Sequence, residues 1–200
     1  QNLGVFIIVD TGAMYRSIAL YMLQNHIEVS DETAVSDACK NITIELKYEN
    51  QAQQVYLNGK NVSVEIRREE VGKAASVVSA YPQVRKTLLG LQQQIAAKEN
   101  ILMDGRDIGT NVTSQIADLK IYLTASSKVR AERRYKEIGE KGVEADFDKI
   151  EEDIIIRDRQ DMEREIAPLK QAEDAVLVDS SDMTIEEVVD AIVAEFEKVK

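Results

Sequence analysis

Arginine and aspartate recur in this chain where a buried strand would end. The clearest case is Ile101-Leu102-Met103-Asp104-Gly105-Arg106-Asp107-Ile108-Gly109-Thr110, a short apolar run that stops in acid, glycine, arginine and acid. Apolar runs bounded in this way fit strands of a parallel sheet covered on both faces. In open α/β sheets, ligands sit just beyond the carboxyl ends of such strands. An arginine there, beside a glycine that lets backbone approach, suits an anion such as phosphate. The plain alternative is a loop whose Arg and Asp pair only with each other.

Two more stretches share this character. Asp10-Thr11-Gly12-Ala13-Met14-Tyr15-Arg16 follows an apolar run and begins a helical pattern. Asp10 or Thr11 can cap that helix, and Arg16 emerges one turn later; capping plus surface charge is the alternative. In Arg157-Asp158-Arg159-Gln160-Asp161-Met162-Glu163-Arg164, residues Arg157, Asp161 and Arg164 share one face of a helix, where an ion-pair ladder is the alternative. Ser76 and Arg85 flank the Tyr81-Pro82 break and carry no signal by themselves. Together Arg16, Arg106 and Arg164, each beside an element end, would make a planar-donor clamp for a phosphate. Asp107 and Asp161 could accept hydrogen bonds from a base amino group and a sugar hydroxyl. That set reads as a nucleoside monophosphate pocket.

The elements that must position these residues are legible too. Val5–Asp10, Ile101–Asp104 and Ala175–Asp179 are apolar runs ending in aspartate, and Leu119–Leu123 is a fourth run. Each precedes a helical pattern, at once or after a loop, which predicts a doubly wound α/β domain. After Pro82, Val84, Leu88, Leu91 and Ile95 recur at helical spacing. The last helix opens on Thr184-Ile185-Glu186-Glu187, a capping box, with Ile185, Val188, Val189, Ile192, Val193 and Phe196 expected inward. Two segments break the alternation. From Ile42 to Ser63 apolar and polar residues alternate, with Asn58-Gly59 as a hairpin signal, predicting a small antiparallel lobe with one face exposed. Ser127 to Asp161 is helical and heavily charged, with Gly139 and Gly142 as a break. Arg130, Arg133 and Arg134 lie within about one turn there, as a closing lid or a solvated face would have them.

Composition narrows the classes. Two hundred residues, 44% of them hydrophobic, can bury a core. A net charge of −11 argues against a nucleic-acid or anionic-membrane binder. The longest apolar stretch is too short to span a bilayer, and no signal peptide is visible. The single cysteine, Cys39, excludes an internal disulfide and suits a reducing compartment. With one histidine, His26, a His-based metal site or Ser-His-Asp triad is a poor fit. The expected compartment is the cytoplasm; a monomer acting on small molecules is the accompanying expectation and is not read from composition.

The three motifs, with Val71–Arg85, Leu119–Tyr135 and Lys170–Asp179, resemble the bacterial cytidylate kinases over nearly the whole chain, in order. The resemblance implies a P-loop nucleoside monophosphate kinase fold, with an antiparallel β insert and a helical lid. It implies transfer of the ATP γ-phosphoryl to CMP or dCMP with Mg²⁺. It divides the chain into core (1–38, N-terminally incomplete), monophosphate-binding insert (39–80), core (81–126), lid and following helix (127–160) and core (161–200). By the same resemblance Arg16, Arg106 and Arg164 hold the CMP phosphate, and Ser76, Arg85 and Asp107 read the cytosine edge. Arg157 and Asp161 face the pentose, Arg133 closes over the transferring phosphoryl, and Asp10, Thr11 and Tyr15 join the substrate site. One departure matters: no G-x-x-x-x-G-K-[ST] motif occurs in the 200 residues. That loop cradles the ATP phosphates and its hydroxyl binds Mg²⁺, so these residues alone are expected to be inactive. The motif then either precedes Gln1 in the natural protein or is lost in a truncated form, and the persistence of the other ligand residues favours the former. The alternative function is a CMP-binding regulatory module without ATP-dependent catalysis; a monophosphate kinase of different base choice is less well matched.

Overall fold

The computed structural model describes residues 7–49, 52–97 and 100–199. The apolar runs that halt at acids become strands: β1 (Ile7–Asp10), β5 (Ile101–Asp104), β6 (Ile121–Thr124) and β7 (Val176–Asp179). The start of the first run, Val5 and Phe6, lies outside the described residues, as do residues 1–4. The helices are α1 (Gly12–Gln24), α2 (Glu32–Ala38), α3 (Glu69–Val78), α4 (Pro82–Ala96), α5 (Ser127–Glu140), α6 (Phe147–Glu163) and α7 (Ile185–Val199). The fold is mixed α/β, with parallel and antiparallel sheets.

The chain divides into two units, residues 1–108 with 164–167, and residues 109–163 with 168–200. In the first, β1 and β5 pair in parallel with Asp10 opposite Asp104. The alternating segment forms an antiparallel sheet of β2 (Ile44–Glu49), β3 (Ala52–Leu57) and β4 (Lys60–Asn61). Asn58 and Gly59, at φ +48° and +80°, make the tight turn between β3 and β4, a conformation that asparagine and glycine reach at least cost. Ile44, Val55 and Leu57 from this sheet share one core with Met14, Ile18 and Met22 of α1, Val71 and Val78 of α3, and Val84 and Leu88 of α4. The antiparallel sheet is thus packed onto the core through its inner face and does not stand apart as a lobe. Cys39 is buried at the rim of this core, and burial pushes its thiol up, which keeps it unreactive.

Coverage of β1 and β5 on both faces is not what this unit shows. Val9 is buried, with Ile7, Ile101 and Met103 packed against the core, whereas the register partners Ile8 and Leu102 are 53% and 50% exposed. The unit's helices cover one face of a two-stranded pair.

In the second unit, β6 and β7 pair in parallel. The helical charged segment breaks at the second of its two glycines: Gly139 lies inside α5, which ends before Gly142, at φ +73°. The capping box of α7 forms in both directions: Glu187 N donates to Thr184 Oγ1 at 3.2 Å, and Thr184 N to the Glu187 carboxylate at 2.8 Å. The inward stripe of α7 is only partly realised. Val188, Ile192, Val193 and Phe196 are half-buried, but Ile185 is 81% exposed and Val189 also faces outward. Within its unit α7 packs on β7, a strand too short to cover a stripe of four turns. Among the described residues no helix is long and apolar enough to cross a membrane.

Candidate functional site

At the carboxyl ends of β1 and β5 the backbone is tied together before any side chain reaches outward. Thr11, 2% exposed, donates its hydroxyl to Asp104 O at 2.7 Å, and Thr11 N donates to the same carbonyl at 3.2 Å. Thr11 therefore stitches the two strand ends, and Asp10 caps α1 by accepting from Ala13 N at 3.1 Å. The other Asp10 oxygen accepts from Arg16 Nη2 at 2.5 Å. Gly12 makes room for this ion pair, since a Cβ there would lie 3.0 Å from both Arg16 Nη1 and Asp10 Oδ1. Gln53 of β3 adds a support with no counterpart in the local sequence signals. Its amide oxygen accepts from Asp10 N at 3.0 Å and its amide nitrogen donates to Asp10 O at 3.4 Å.

The loop after β5 carries the second half of this arrangement. Partial burial, and then the neighbouring Asp10 carboxylate, raise the Asp104 carboxyl above its ordinary range, while Arg16 and Arg106 pull it back. Arg16 and Arg106 thus act on one carboxylate, although Arg106 itself is exposed. Gly105 lets the loop close over Thr11, because a Cβ would meet the Thr11 hydroxyl and lie 2.8 Å from Ile108 Cγ1.

Asp107 is 5% exposed and is shared by two guanidinium groups. Arg85 Nη2 donates to one carboxylate oxygen, and Arg164 Nη2 lies 3.5 Å from the other. Both arginine side chains are 7% exposed. Arg85 Nη1 donates to Ser79 O at 2.9 Å, and Ser79 Oγ to Ser76 O at 3.1 Å. Ser76 itself sits on α3, its hydroxyl directed to Gly72 O at 3.4 Å. Tyr15 lies under Arg85, with the guanidinium carbon 5.5 Å from the ring centre. Burial pushes the Tyr15 phenol up, Asp107 adds to this, and Arg85 and Arg164 oppose it.

Arg164 reaches this cluster by a route that helical spacing does not describe. α6 ends at Glu163, so Arg164 is placed by the loop beyond it and groups with the first unit. Ala167, at φ +48°, folds that loop back so that its carbonyl accepts from Arg164 Nε at 2.8 Å. The one-face reading of Arg157, Asp161 and Arg164 therefore holds for the first two alone.

In the second unit Arg157 is exposed and Asp161 buried, both on α6. Leu169 N donates to Asp161 O at 2.7 Å, fixing the turn that leaves the helix. Arg133 of α5 donates to Ser180 O at 2.5 Å, to Ser180 Oγ at 3.2 Å and to Met183 O at 3.4 Å, beyond the end of β7. Arg130 forms a two-pronged pair with Asp158, at 2.9 and 2.5 Å, which raises the guanidinium further above its ordinary value.

The donor set favours a phosphate over a resident metal. Among the described residues no group of three or more His, Cys, Asp or Glu side chains could cage an ion. Asp10 and Asp104 are a pair of adjacent carboxylates only. Such a pair fits Mg²⁺ arriving with a polyphosphate, since that ion keeps several waters and takes one or two carboxylates. For an anion the fit is closer: Arg16 Nε and Arg85 Nε are buried and have no hydrogen-bond partner among the described residues. Buried donors left unmet cost free energy, which an oxyanion would recover.

A family model described as cytidylate kinase matches residues 1–198. A cytidylate kinase of Lactobacillus gasseri is 47% identical over 189 residues, 94% of this chain and 81% of that protein. One from Enterococcus faecalis is 45% identical over 187 residues, covering 94% and 82%. One from Caldicellulosiruptor bescii is 42% identical over 194 residues, covering 97% and 85%.

Proposed function

The chain belongs to the cytidylate kinase family, and from that membership we propose that it transfers the γ-phosphoryl of ATP to CMP or dCMP, giving ADP and the cytidine diphosphate. The observation that carries this reading to particular residues is the buried Arg85–Asp107–Arg164 cluster, one loop residue away from Arg106. Phosphoryl transfer asks little covalent chemistry of a protein; alignment and charge neutralisation dominate. In the first unit, Arg16, Arg106 and Arg164 hold the CMP phosphate as planar donors. Asp107 accepts from the cytosine amino group and Arg85 donates to the ring edge, with Ser76 beside them. Asp10, Thr11 and Tyr15 shape the wall and keep Arg16 and Arg85 aimed. In the second unit, Arg157 and Asp161 are assigned to the pentose and Arg133 to the transferring phosphoryl. Among the described residues, Asp10 and Asp104 would hold a Mg²⁺ arriving with ATP, and the ion would supply neutralisation of the phosphate charge.

The architecture that accompanies this function is a doubly wound parallel sheet of the P-loop nucleoside monophosphate kinase type. Residues 39–80 serve as the monophosphate-binding insert and residues 127–160 as the lid and following helix. A cytoplasmic monomer is the form that suits these small soluble substrates. The test is a coupled assay of ADP release with ATP, Mg²⁺ and CMP, dCMP or UMP, on protein expressed from its natural gene. CMP-dependent turnover with a strong preference over UMP is expected. No CMP-dependent rate would overturn the reading, and calorimetric binding of CMP without turnover would favour a regulatory module.

A further inference from the structure

Gln53 stands on the face of β3 where alternation puts apolar side chains, in line with the buried Val55 and Leu57. A polar side chain on such a face has to find polar partners. Gln53 finds both backbone groups of a single residue, Asp10. Its amide oxygen accepts from Asp10 N at 3.0 Å, and its amide nitrogen donates to Asp10 O at 3.4 Å. This is the exchange by which one strand residue meets another across a ladder, supplied here by a side chain. Asp10 is the last residue of β1, and among the described residues β1 pairs with β5 alone. On the β5 side the strand end is tied by Thr11, whose N–H and hydroxyl both donate to Asp104 O. Successive N–H groups of a strand point to opposite edges, so Gln53 ties the edge that β5 leaves open. What depends on this tie is direction. The Asp10 carboxylate accepts from Ala13 N at the start of α1 and from Arg16 Nη2, so its backbone position sets where Arg16 points.

We propose that Gln53 is a positioning residue for the phosphate grip: it holds the Asp10 backbone from the open edge of β1, and Asp10 aims Arg16 at the CMP phosphate. The inference rests on the assignment of Arg16 to that phosphate. A planar donor binds an oxyanion well only while it is aligned, and small displacements are costly where positioning dominates the chemistry. The antiparallel sheet thereby contributes to the site through a support, with no contact to the ligand.

The test uses Gln53→Met, which keeps the length of the side chain and removes both amide groups, in the enzyme from its natural gene. The value of kcat/KM for CMP is expected to fall about fivefold, with KM rising by more than kcat falls. That for UMP should fall by the same factor, because the two nucleotides share the phosphate, so their ratio stays at the parental value. Arg16→Met is made alone and together with Gln53→Met. Once Arg16 is gone, Gln53→Met should lower kcat/KM no further, since the two residues act in series. A lower melting temperature with parental kinetics would make Gln53 merely structural and overturn the proposal. A changed CMP-to-UMP ratio, or a loss that persists without Arg16, would overturn it too. If Gln53→Met does not fold, Gln53→Glu takes its place: it keeps an acceptor for Asp10 N and sets an oxygen against Asp10 O. Parental kinetics in that variant overturn the proposal. A parent enzyme without a CMP-dependent rate defeats the functional reading instead. Arg16→Met at the parental rate removes Arg16 from the phosphate, and the proposal falls with that assignment; both results show before any Gln53 variant is made.

Discussion

Replacing Asp107 by asparagine separates charge from shape at the centre of the candidate site. The side chain keeps its size, but two guanidinium groups lose the carboxylate they share. Exposure decides the magnitude. The Asp107 side chain is 6% exposed and those of Arg85 and Arg164 7% each, so solvent does little to screen what remains. Breaking a buried pair by removing one partner costs about 3–5 kcal/mol, against about 0–1 kcal/mol for an exposed pair. Most of the loss should come from Arg85, because the Arg164 contact is longer, at 3.5 Å. For a chain of this size the loss corresponds to a fall in melting temperature of roughly 6–20 °C. Thermal unfolding by circular dichroism at about 0.1 M and about 1 M salt is the assay, since a desolvated pair is screened far less than a surface one. The fall should persist at the higher salt and be accompanied by loss of CMP turnover. A change below about 1 kcal/mol, or one that vanishes in salt, would refute the claim that this cluster is a buried ion network.

Three other substitutions probe the same region. With Arg164 on the CMP phosphate as proposed, Arg164→Met should lower kcat/KM for CMP roughly 10- to 150-fold, from a loss of about 1.5–3 kcal/mol. Because Arg164 is buried against Asp107 and bonded to Ala167 O, its melting temperature should fall as well, and an active, unshifted variant would remove Arg164 from the site. Asp104→Asn should stabilise the protein at neutral pH. Partial burial and the Asp10 carboxylate raise the folded-state carboxyl, so its ionisation costs stability above that raised value. The gain should shrink as pH falls through the raised value and vanish below about pH 4, where both states are protonated; a variant less stable at neutral pH contradicts this. Gly105→Ala would push a Cβ to 2.8 Å from Ile108 Cγ1 and onto the Thr11 hydroxyl that joins β1 to β5. An overpacking cost of about 1–3 kcal/mol and a raised KM for CMP are expected in denaturation and rate measurements, and a neutral result would mean that the loop relaxes freely.

What the sequence made legible is what local physics decides. The β5 run ends at Asp104 because an acid and a glycine follow it; α4 starts at Pro82 because proline fits only a first turn; the Asn58-Gly59 turn needs two positive φ angles. The Thr184–Glu187 box is likewise a local exchange of hydrogen bonds. The supports of the site lack any such signature. Gln53 reaches Asp10 across 43 residues. Nothing in the neighbouring residues distinguishes this glutamine from a surface one. Arg164 was reachable by motif, but its placement depends on a left-handed residue three positions on, which helical periodicity cannot express. The α7 stripe failed differently: amphipathicity states which face is apolar and leaves open how much of it a neighbour covers.

Pairing with local aspartates and binding an anion are compatible roles for these arginines, although the sequence posed them as alternatives. A guanidinium carries five N–H donors in a fixed fork, so one carboxylate engages a single edge. Asp10 takes Nη2 of Arg16, and the buried Nε of the same group makes no hydrogen bond among the described residues. Asp107 and Ser79 O take the two terminal nitrogens of Arg85 in the same manner, again leaving Nε. Held by one edge, each side chain loses the rotamer freedom that an arginine in water would lose only on binding. In the proposed site, the ion pairs orient the arginines before a ligand arrives. A surface ladder would have left these groups solvated and mobile; here Arg85 is 7% and Arg16 22% exposed. Pre-aligned donors of this kind lower the entropic cost of binding a phosphate, which is what a reaction governed by alignment requires.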